Sequence, residues 1–273
     1  MSPLLEAVGL TKTYRSGATL VRAVHDVSFR VDAGGSVGLV GESGSGKSTT
    51  ARLLVGLERP DAGEVVIQGR PLAFDARRRS ERLARARAVQ IVFQDPYLSL
   101  DPRVTVDDCL DAVLRLHTRL DRSSRARRIA ELLDQVGLGA REAAALPRAL
   151  SGGQRQRVAI ARALAVAPSV LVLDEAVSAL DVSVQAQVLN LLADIRRETG
   201  IGLVFVSHDL AVVRYVCDEA LVLHRGRVVE QGPTAQLLSD PQHPYTKLLL
   251  SSLPRPGWDL EAISALRREV AAG

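Results

Sequence analysis

Gly41-Glu42-Ser43-Gly44-Ser45-Gly46-Lys47-Ser48-Thr49 is the stretch that decides the fold. The strand-sized apolar run Val37–Val40 leads into it, and a helical stretch, Thr49–Val55, follows directly. Gly41, Gly44 and Gly46 let the backbone curl so that successive N–H groups, those of Ser43 and Thr49 among them, converge on phosphate oxygens. The helix start adds its partial positive charge. Lys47 is spaced to reach the outer phosphates, and Ser48 to offer a hydroxyl to Mg²⁺. A flexible Gly/Ser turn requires neither the lysine nor the strand-before, helix-after setting, so the loop reads as a phosphate site.

Working outward, short apolar runs alternate with helical stretches, the pattern of an α/β domain with a mainly parallel sheet. Strands are expected at Leu4–Leu10, Val24–Val31, Val37–Val40, Glu64–Gln68, Val89–Phe93, Ser169–Leu173, Leu203–Val206 and Ala220–Leu223. Val27, Phe29 and Val31 alternate with Ser28 and Arg30, so antiparallel pieces near the start should sit beside the parallel core. From Asp101 to Ala167 the apolar residues recur at helical spacing, an insertion of about sixty residues and too long for a loop. Beyond Gly232 the spacing predicts a helix near Ala235–Ser239, a second from Pro244 to Ser252, and a short charged helix after Pro-Gly.

Leu171-Val172-Leu173-Asp174-Glu175 ends an apolar strand in two acids. Neighbouring strand residues point to opposite sides, so the two carboxylates can serve separate tasks at one edge. Asp174 would hold Mg²⁺, and Glu175 would polarise the water that attacks a phosphate. Alone, such a pair is often a helix cap; beside a phosphate loop it is a site. Leu150-Ser151-Gly152-Gly153-Gln154 opens a striped helix (Val158, Ile160, Ala161, Leu164), a second set of N–H groups at a helix start. Ser151 alone would suffice as a cap; the rest of the stretch exceeds that need.

These residues together resemble the nucleotide-binding domain of the ABC ATPase family. The resemblance covers residues 4 to 232 and implies a RecA-like P-loop NTPase core with an antiparallel β subdomain and a helical signature subdomain at about 101–167. It implies ATP and Mg²⁺ as cofactors. Tyr14 matches the aromatic that stacks on adenine, although a surface Tyr at a strand end looks the same. Gln94 matches the glutamine that senses Mg²⁺ and the attacking water, and His208 the switch histidine near the γ-phosphate. Asp181 closes Ser178-Ala179-Leu180-Asp181, the segment that crosses to the partner domain. Ala176 stands where many relatives carry proline. Two such domains, the same or paralogous, would pair head to tail, each ATP lying between Lys47 of one and Ser151 of the other.

The resemblance narrows further at Phe93–Arg103, at Asp174–Asp181 and at His243-Pro244-Tyr245-Thr246-Lys247-Leu248-Leu249-Leu250-Ser251-Ser252-Leu253-Pro254. These are similar to oligopeptide and dipeptide importer ATPases, which makes 233–273 an importer-type tail. The chain would energise two separate permease subunits, with the region Gln94–Val106 receiving a permease helix and a solute-binding protein acting from the far side. Nickel and glutathione importers share this type of ATPase. A soluble ABC ATPase acting on nucleic acid or ribosomes is the reading from another class, and the second cassette or coiled coil it would usually carry is not seen.

The bulk numbers agree with a sizeable globular core: 273 residues, 47% hydrophobic and 24% charged. No apolar run reaches membrane-spanning length and no leader-like start is seen, so the protein is expected at the cytoplasmic face of the membrane, held by partners. The net charge of +4 comes with basic residues scattered among acids. The densest stretch, Arg77-Arg78-Arg79 with Arg82, Arg85 and Arg87, reads as a solvated helix face, and it lacks an aromatic for base stacking. Nucleic acid is not expected as a partner. Cys109 and Cys217 lie far apart without metal-ligand spacing and read as structural thiols.

Overall fold

The computed structural model describes residues 2–17, 19–95 and 99–251. β1 (Leu5–Ser16) and β2 (Thr19–Val31) form an antiparallel hairpin whose register runs from Leu5 opposite Val31 to Ser16 opposite Thr19. Val27 and Val31 are buried while Ser28 and Arg30 are exposed, the alternation that the sequence shows. The hairpin outruns the stretches Leu4–Leu10 and Val24–Val31. Its tip carries exposed Leu20 and Val21 and charged Arg15 and Arg22, so backbone pairing continues after the apolar alternation has faded.

β3 (Ser36–Val40) leads into α1 (Lys47–Leu54); β4 (Ala62–Ile67) and β5 (Arg70–Pro71) follow. β4 pairs with the free edge of β1, giving an antiparallel sheet ordered β2-β1-β4-β5. α2 (Arg79–Ala88) buries none of its residues, as a solvated basic face requires. β6 (Val89–Phe93) precedes the helical stretch: α3 (Val106–His117), α4 (Arg122–Gln135), α5 (Ala140–Ala143) and α6 (Gly152–Leu164). Thr105 caps α3 and Asp121 caps α4, each accepting from a backbone N–H three residues on.

β7 (Val170–Asp174), α7 (Val182–Thr199), β8 (Gly202–Ser207), α8 (Leu210–Val216), β9 (Glu219–His224), β10 (Arg227–Pro233), α9 (Thr234–Ser239) and α10 (Pro244–Ser251) complete the described chain. The second sheet is ordered β10-β9-β3-β8-β7-β6, parallel from β9 to β6, with β10 antiparallel at one edge. Composition hid β10: Glu230, Gln231 and Gly232 interrupt its apolar residues, and Pro233, the first residue of the expected tail, pairs with Glu219 inside the strand. The short charged helix expected after Pro-Gly lies outside the described residues.

Alternate residues of the parallel strands fill two cores. Val37, Leu39, Val170, Val172, Val204 and Val206 pack with Leu53 and Leu54 of α1 and with the hairpin. Val40, Leu171, Leu173, Leu203 and Phe205 pack instead with α3, α4, α6, α7 and α8. Such near-continuous apolar strands are what a sheet covered on both faces needs. Each fully buried Leu or Val in these layers contributes about 1.5–3 kcal/mol of transfer free energy. The arrangement places α1 on one face of the sheet and α6 on the other.

Candidate active site

Four expected site segments sit at the carboxyl edge of this sheet: the phosphate loop after β3, Gln94 after β6, Asp174 and Glu175 at the end of β7, and His208 after β8. The register sets them level, with Phe93 opposite Asp174, Asp174 opposite Val206 and Val40 opposite Ser207. Ligands of open α/β sheets bind at this edge.

Gly46 occupies the N-cap of α1 with φ +104°, and a Cβ there would collide with the carbonyl oxygen of Ala23. Only glycine fits where the loop turns into α1, whose first N–H groups, as at any helix start, have no partner within the helix. Lys47 is 5% exposed, and its Nζ donates to the carbonyls of Gly41 (2.7 Å) and Glu42 (2.8 Å). Burial pushes the ammonium pKa down, against the pull of Glu175, Asp174 and Glu42. Ser48 Oγ donates to Asp174 Oδ1 at 3.0 Å, which joins the loop to the end of β7. Burial raises the Asp174 pKa; the Ser48 bond opposes this and the like charge of Glu175 adds to it.

Glu175 turns the chain out of β7 with φ +51°, an uncommon conformation for a non-glycine residue. Its N–H donates to Val206 at 3.0 Å and its Oε1 lies 3.4 Å from His208 Nδ1. Gln94 is exposed next to the residue that opposes Asp174. The Ser48 hydroxyl and Asp174 carboxylate are hard oxygen donors, and a buried carboxylate whose charged form is disfavoured gains most from a nearby cation. The set fits Mg²⁺, which keeps water and phosphate as its other ligands.

Residues 24–178 match the family model described as ABC transporter. The chain belongs to the ABC transporter family. Residues 229–272 of this ABC ATPase match the model for the C-terminal region of oligopeptide/dipeptide transporters. Over 260 residues it is 46% identical to the dipeptide transport ATP-binding protein of Haemophilus influenzae, covering 93% of this chain and 79% of that one. The Escherichia coli protein of the same description is 45% identical over 259 residues, covering 93% and 77%. Among solved structures, the dimeric, post-hydrolysis ATP-binding cassette MJ0796 with ADP and phosphate superposes with a TM-score of 0.74 at 32% identity, covering 84% of this chain and 98% of that one.

The signature residues of this ABC ATPase stand apart from the loop. Ser151 caps α6: its Oγ accepts from Gln154 N at 3.2 Å, and Gln154 Oε1 accepts from Ser151 N at 2.9 Å. Among the described residues no hydrogen bond or ion pair links Ser151–Gln154 to Gly41–Thr49. A Cβ at Gly152 would meet Leu180 at an ordinary contact distance of 3.7 Å, whereas one at Gly153 would collide with Val184 of α7. Asp181 caps α7, accepting from Val184 N at 3.0 Å; that backbone bond, then the Ser183 hydroxyl, holds its pKa down. Tyr14 stands across from Val21; it lies 5.8 Å under Lys12 Nζ and bonds the Glu58 carboxylate. One contact was not visible in the sequence: the N–H of Glu42 donates to Tyr245 Oη at 3.0 Å. These residues are 203 positions apart and nothing in local spacing marks the pair.

Proposed function

We propose that this ATPase powers uptake of oligopeptides or dipeptides through two separate permease subunits, as a peripheral protein at the cytoplasmic face of the cell membrane. The match of residues 229–272 to the oligopeptide/dipeptide transporter C-terminal region carries the reading of cargo. Among the described residues no helix is long and apolar enough to cross a membrane. On this reading residues 1–232 form the cassette, 101–167 its helical part and 233–273 the importer-type tail.

ATP would lie along the carboxyl edge of the sheet, adenine against Tyr14 and phosphates in the N–H groups of Gly41–Thr49 with Lys47. Ser48 and Asp174 would hold Mg²⁺, which, when bound, neutralises phosphate charge. Glu175 accepts a proton from the attacking water, and His208, 3.4 Å from that carboxylate, orients it and reads the γ-phosphate together with Gln94. Ser151, Gly152, Gly153 and Gln154 of a second cassette, with Asp181 at the crossing, complete the site. The placement of α1 and α6 on opposite sheet faces supports completion by a second copy over closure within one chain. ATP then bridges the halves, and hydrolysis releases them.

The test is reconstitution in liposomes with two permease subunits and a solute-binding protein. ATP turnover should rise when the binding protein carries di- to pentapeptides, and should stay low with the isolated chain. Stimulation by chelated nickel or glutathione alone would discard the peptide; stimulation by DNA or ribosomes would overturn the transporter reading.

A further inference from the structure

α10 belongs to the tail, yet it reaches the phosphate loop. Tyr245 in its first turn is 1% exposed and lies in the core on the face opposite α1. The helix start is fixed from below: the carboxylate of Glu230, on β10, accepts from the N–H groups of Gln242 (2.8 Å) and His243 (3.1 Å). The Tyr245 N–H donates to His243 Nδ1 at 3.1 Å. The phenol ring packs on His224 at the end of β9, centroids 4.0 Å apart. That contact gives the ring a packed seat and, with the Glu42 N–H, its hydroxyl a fixed direction; Leu248, one turn further along α10, is buried as well.

That hydroxyl accepts the Glu42 N–H, and the carbonyl of the same peptide unit, Gly41 O, accepts Lys47 Nζ at 2.7 Å. Tyr245 and Lys47 therefore grip the two sides of one trans peptide plane. Rotating the plane to swing the carbonyl away from Lys47 would turn the N–H away from Tyr245 and give up a part-buried hydrogen bond, so the two contacts hold the peptide in one orientation. Burial raises the phenol pKa, so Tyr245 stays neutral at physiological pH and can serve as acceptor without adding charge.

We infer that Tyr245 is a positioning residue for the nucleotide site: the tail helix holds the Gly41–Glu42 peptide, and through it Lys47, in the conformation that receives phosphates. The inference rests on reading the loop as the ATP site. It ties the tail to nucleotide affinity, beyond its role as a packed cap. By linkage the coupling is reciprocal, so bound ATP steadies α10 on the loop.

The test compares full-length Tyr245→Phe, Leu248→Ala, Lys47→Ala and the unaltered chain by titration with ATP–Mg²⁺, steady-state kinetics and melting. Tyr245→Phe keeps the ring and its His224 contact, so its Kd and KM for ATP should rise about tenfold, the loss of one buried bond at 1.4 kcal/mol per decade. Its kcat at saturation should stay within about twofold, and its melting temperature should fall by no more than about 2–4 °C, the effect of one lost bond. Leu248→Ala should do the reverse, lowering the melting temperature with affinity kept. Unchanged affinity in Tyr245→Phe, while Lys47→Ala loses ATP, overturns the inference and leaves the site reading intact. Lys47→Ala that still binds ATP normally overturns the site reading itself. Should Tyr245→Phe fail to fold, hydrogen exchange on the unaltered chain decides: an unprotected Glu42 amide sinks the strut, and a protected one, further slowed by ATP, supports it.

Discussion

Ser48 and Asp174, 126 positions apart, meet through a 3.0 Å hydrogen bond that fastens the first turn of α1 to the end of β7. The pair sits where a buried carboxylate is disfavoured in its charged form. With the Mg²⁺-holding role proposed for Asp174, function and stability would pull in opposite directions at this position.

Asp174→Asn should stabilise the nucleotide-free protein while abolishing Mg²⁺-dependent turnover. Asparagine keeps an oxygen for Ser48 and removes the buried charge. The sign follows from linkage. The carboxyl pKa is raised in the folded state, so its cost is fully present above the folded value and vanishes below the unfolded value of about 3.9. The melting temperature of the variant should exceed that of the unaltered chain near pH 7.5, by about 2–4 °C for each kcal/mol recovered. The gap should narrow as pH falls toward about 4. A variant less stable at neutral pH would contradict this balance.

Glu175→Gln should slow turnover by about 10²–10⁴-fold while ATP still binds. The amide keeps size and hydrogen bonding but cannot take the proton, so an ATP-bound dimer should persist. Size-exclusion chromatography with ATP, run beside phosphate release, reads both. Near-normal turnover would remove Glu175 from its assigned role.

Lys47→Ala and Ser151→Arg should fail differently. The first removes the cation from the loop, and nucleotide binding by a single subunit should be lost. The second sits on the other face of the sheet, so monomer binding should survive and ATP-driven dimerisation should not. Losing the Ser151 cap costs about 1 kcal/mol, which a modest fall in melting temperature should report. Loss of monomer binding in Ser151→Arg would refute a site shared across two copies.

The carboxyl-edge residues are legible in sequence because each is announced by local spacing: a strand, then the loop; a strand, then Asp174-Glu175; a strand, then Ser207-His208. Spacing along one chain fixes which strand each residue follows, and a parallel sheet aligns those ends. What is not legible depends on partners far away. β10 lacks apolar alternation because it is an edge strand whose pairing with β9, not its burial, keeps it in the sheet. The contact between Tyr245 and Glu42 has no local trace, since a buried tyrosine in an apolar helix reads equally well as packing. Ser151 shows a third case: capping and the expected contact with a second copy's nucleotide use one residue, and sequence reasoning set them up as rivals.

Gly153→Ala decides whether the second signature glycine is present for packing. In an exposed helix, glycine to alanine stabilises by about 1 kcal/mol, so helix propensity alone calls for a gain. The neighbourhood calls for a loss. A Cβ at Gly153 would collide with Cγ1 of Val184, in the first turn of α7, and Val184 Cβ and Cγ2 would stand at 3.7 and 3.9 Å. Valine in a helix has one strongly preferred rotamer, so the methyl cannot swing aside cheaply, and α7 starts under the Asp181 cap. Overpacking of this kind costs about 1–3 kcal/mol. Gly153→Ala should therefore lower the melting temperature and weaken ATP-driven dimer formation, because the misplaced start of α6 carries Ser151. Val184→Ala removes the colliding methyl, and in the double variant stability and dimerisation should largely return. A double-mutant cycle with a coupling of at least about 0.5 kcal/mol between the two positions is expected. Additive effects, or a single variant more stable than the unaltered chain, would show that α6 and α7 can part enough to admit a side chain, and would leave Gly153 to be explained by the nucleotide contact proposed for the paired state.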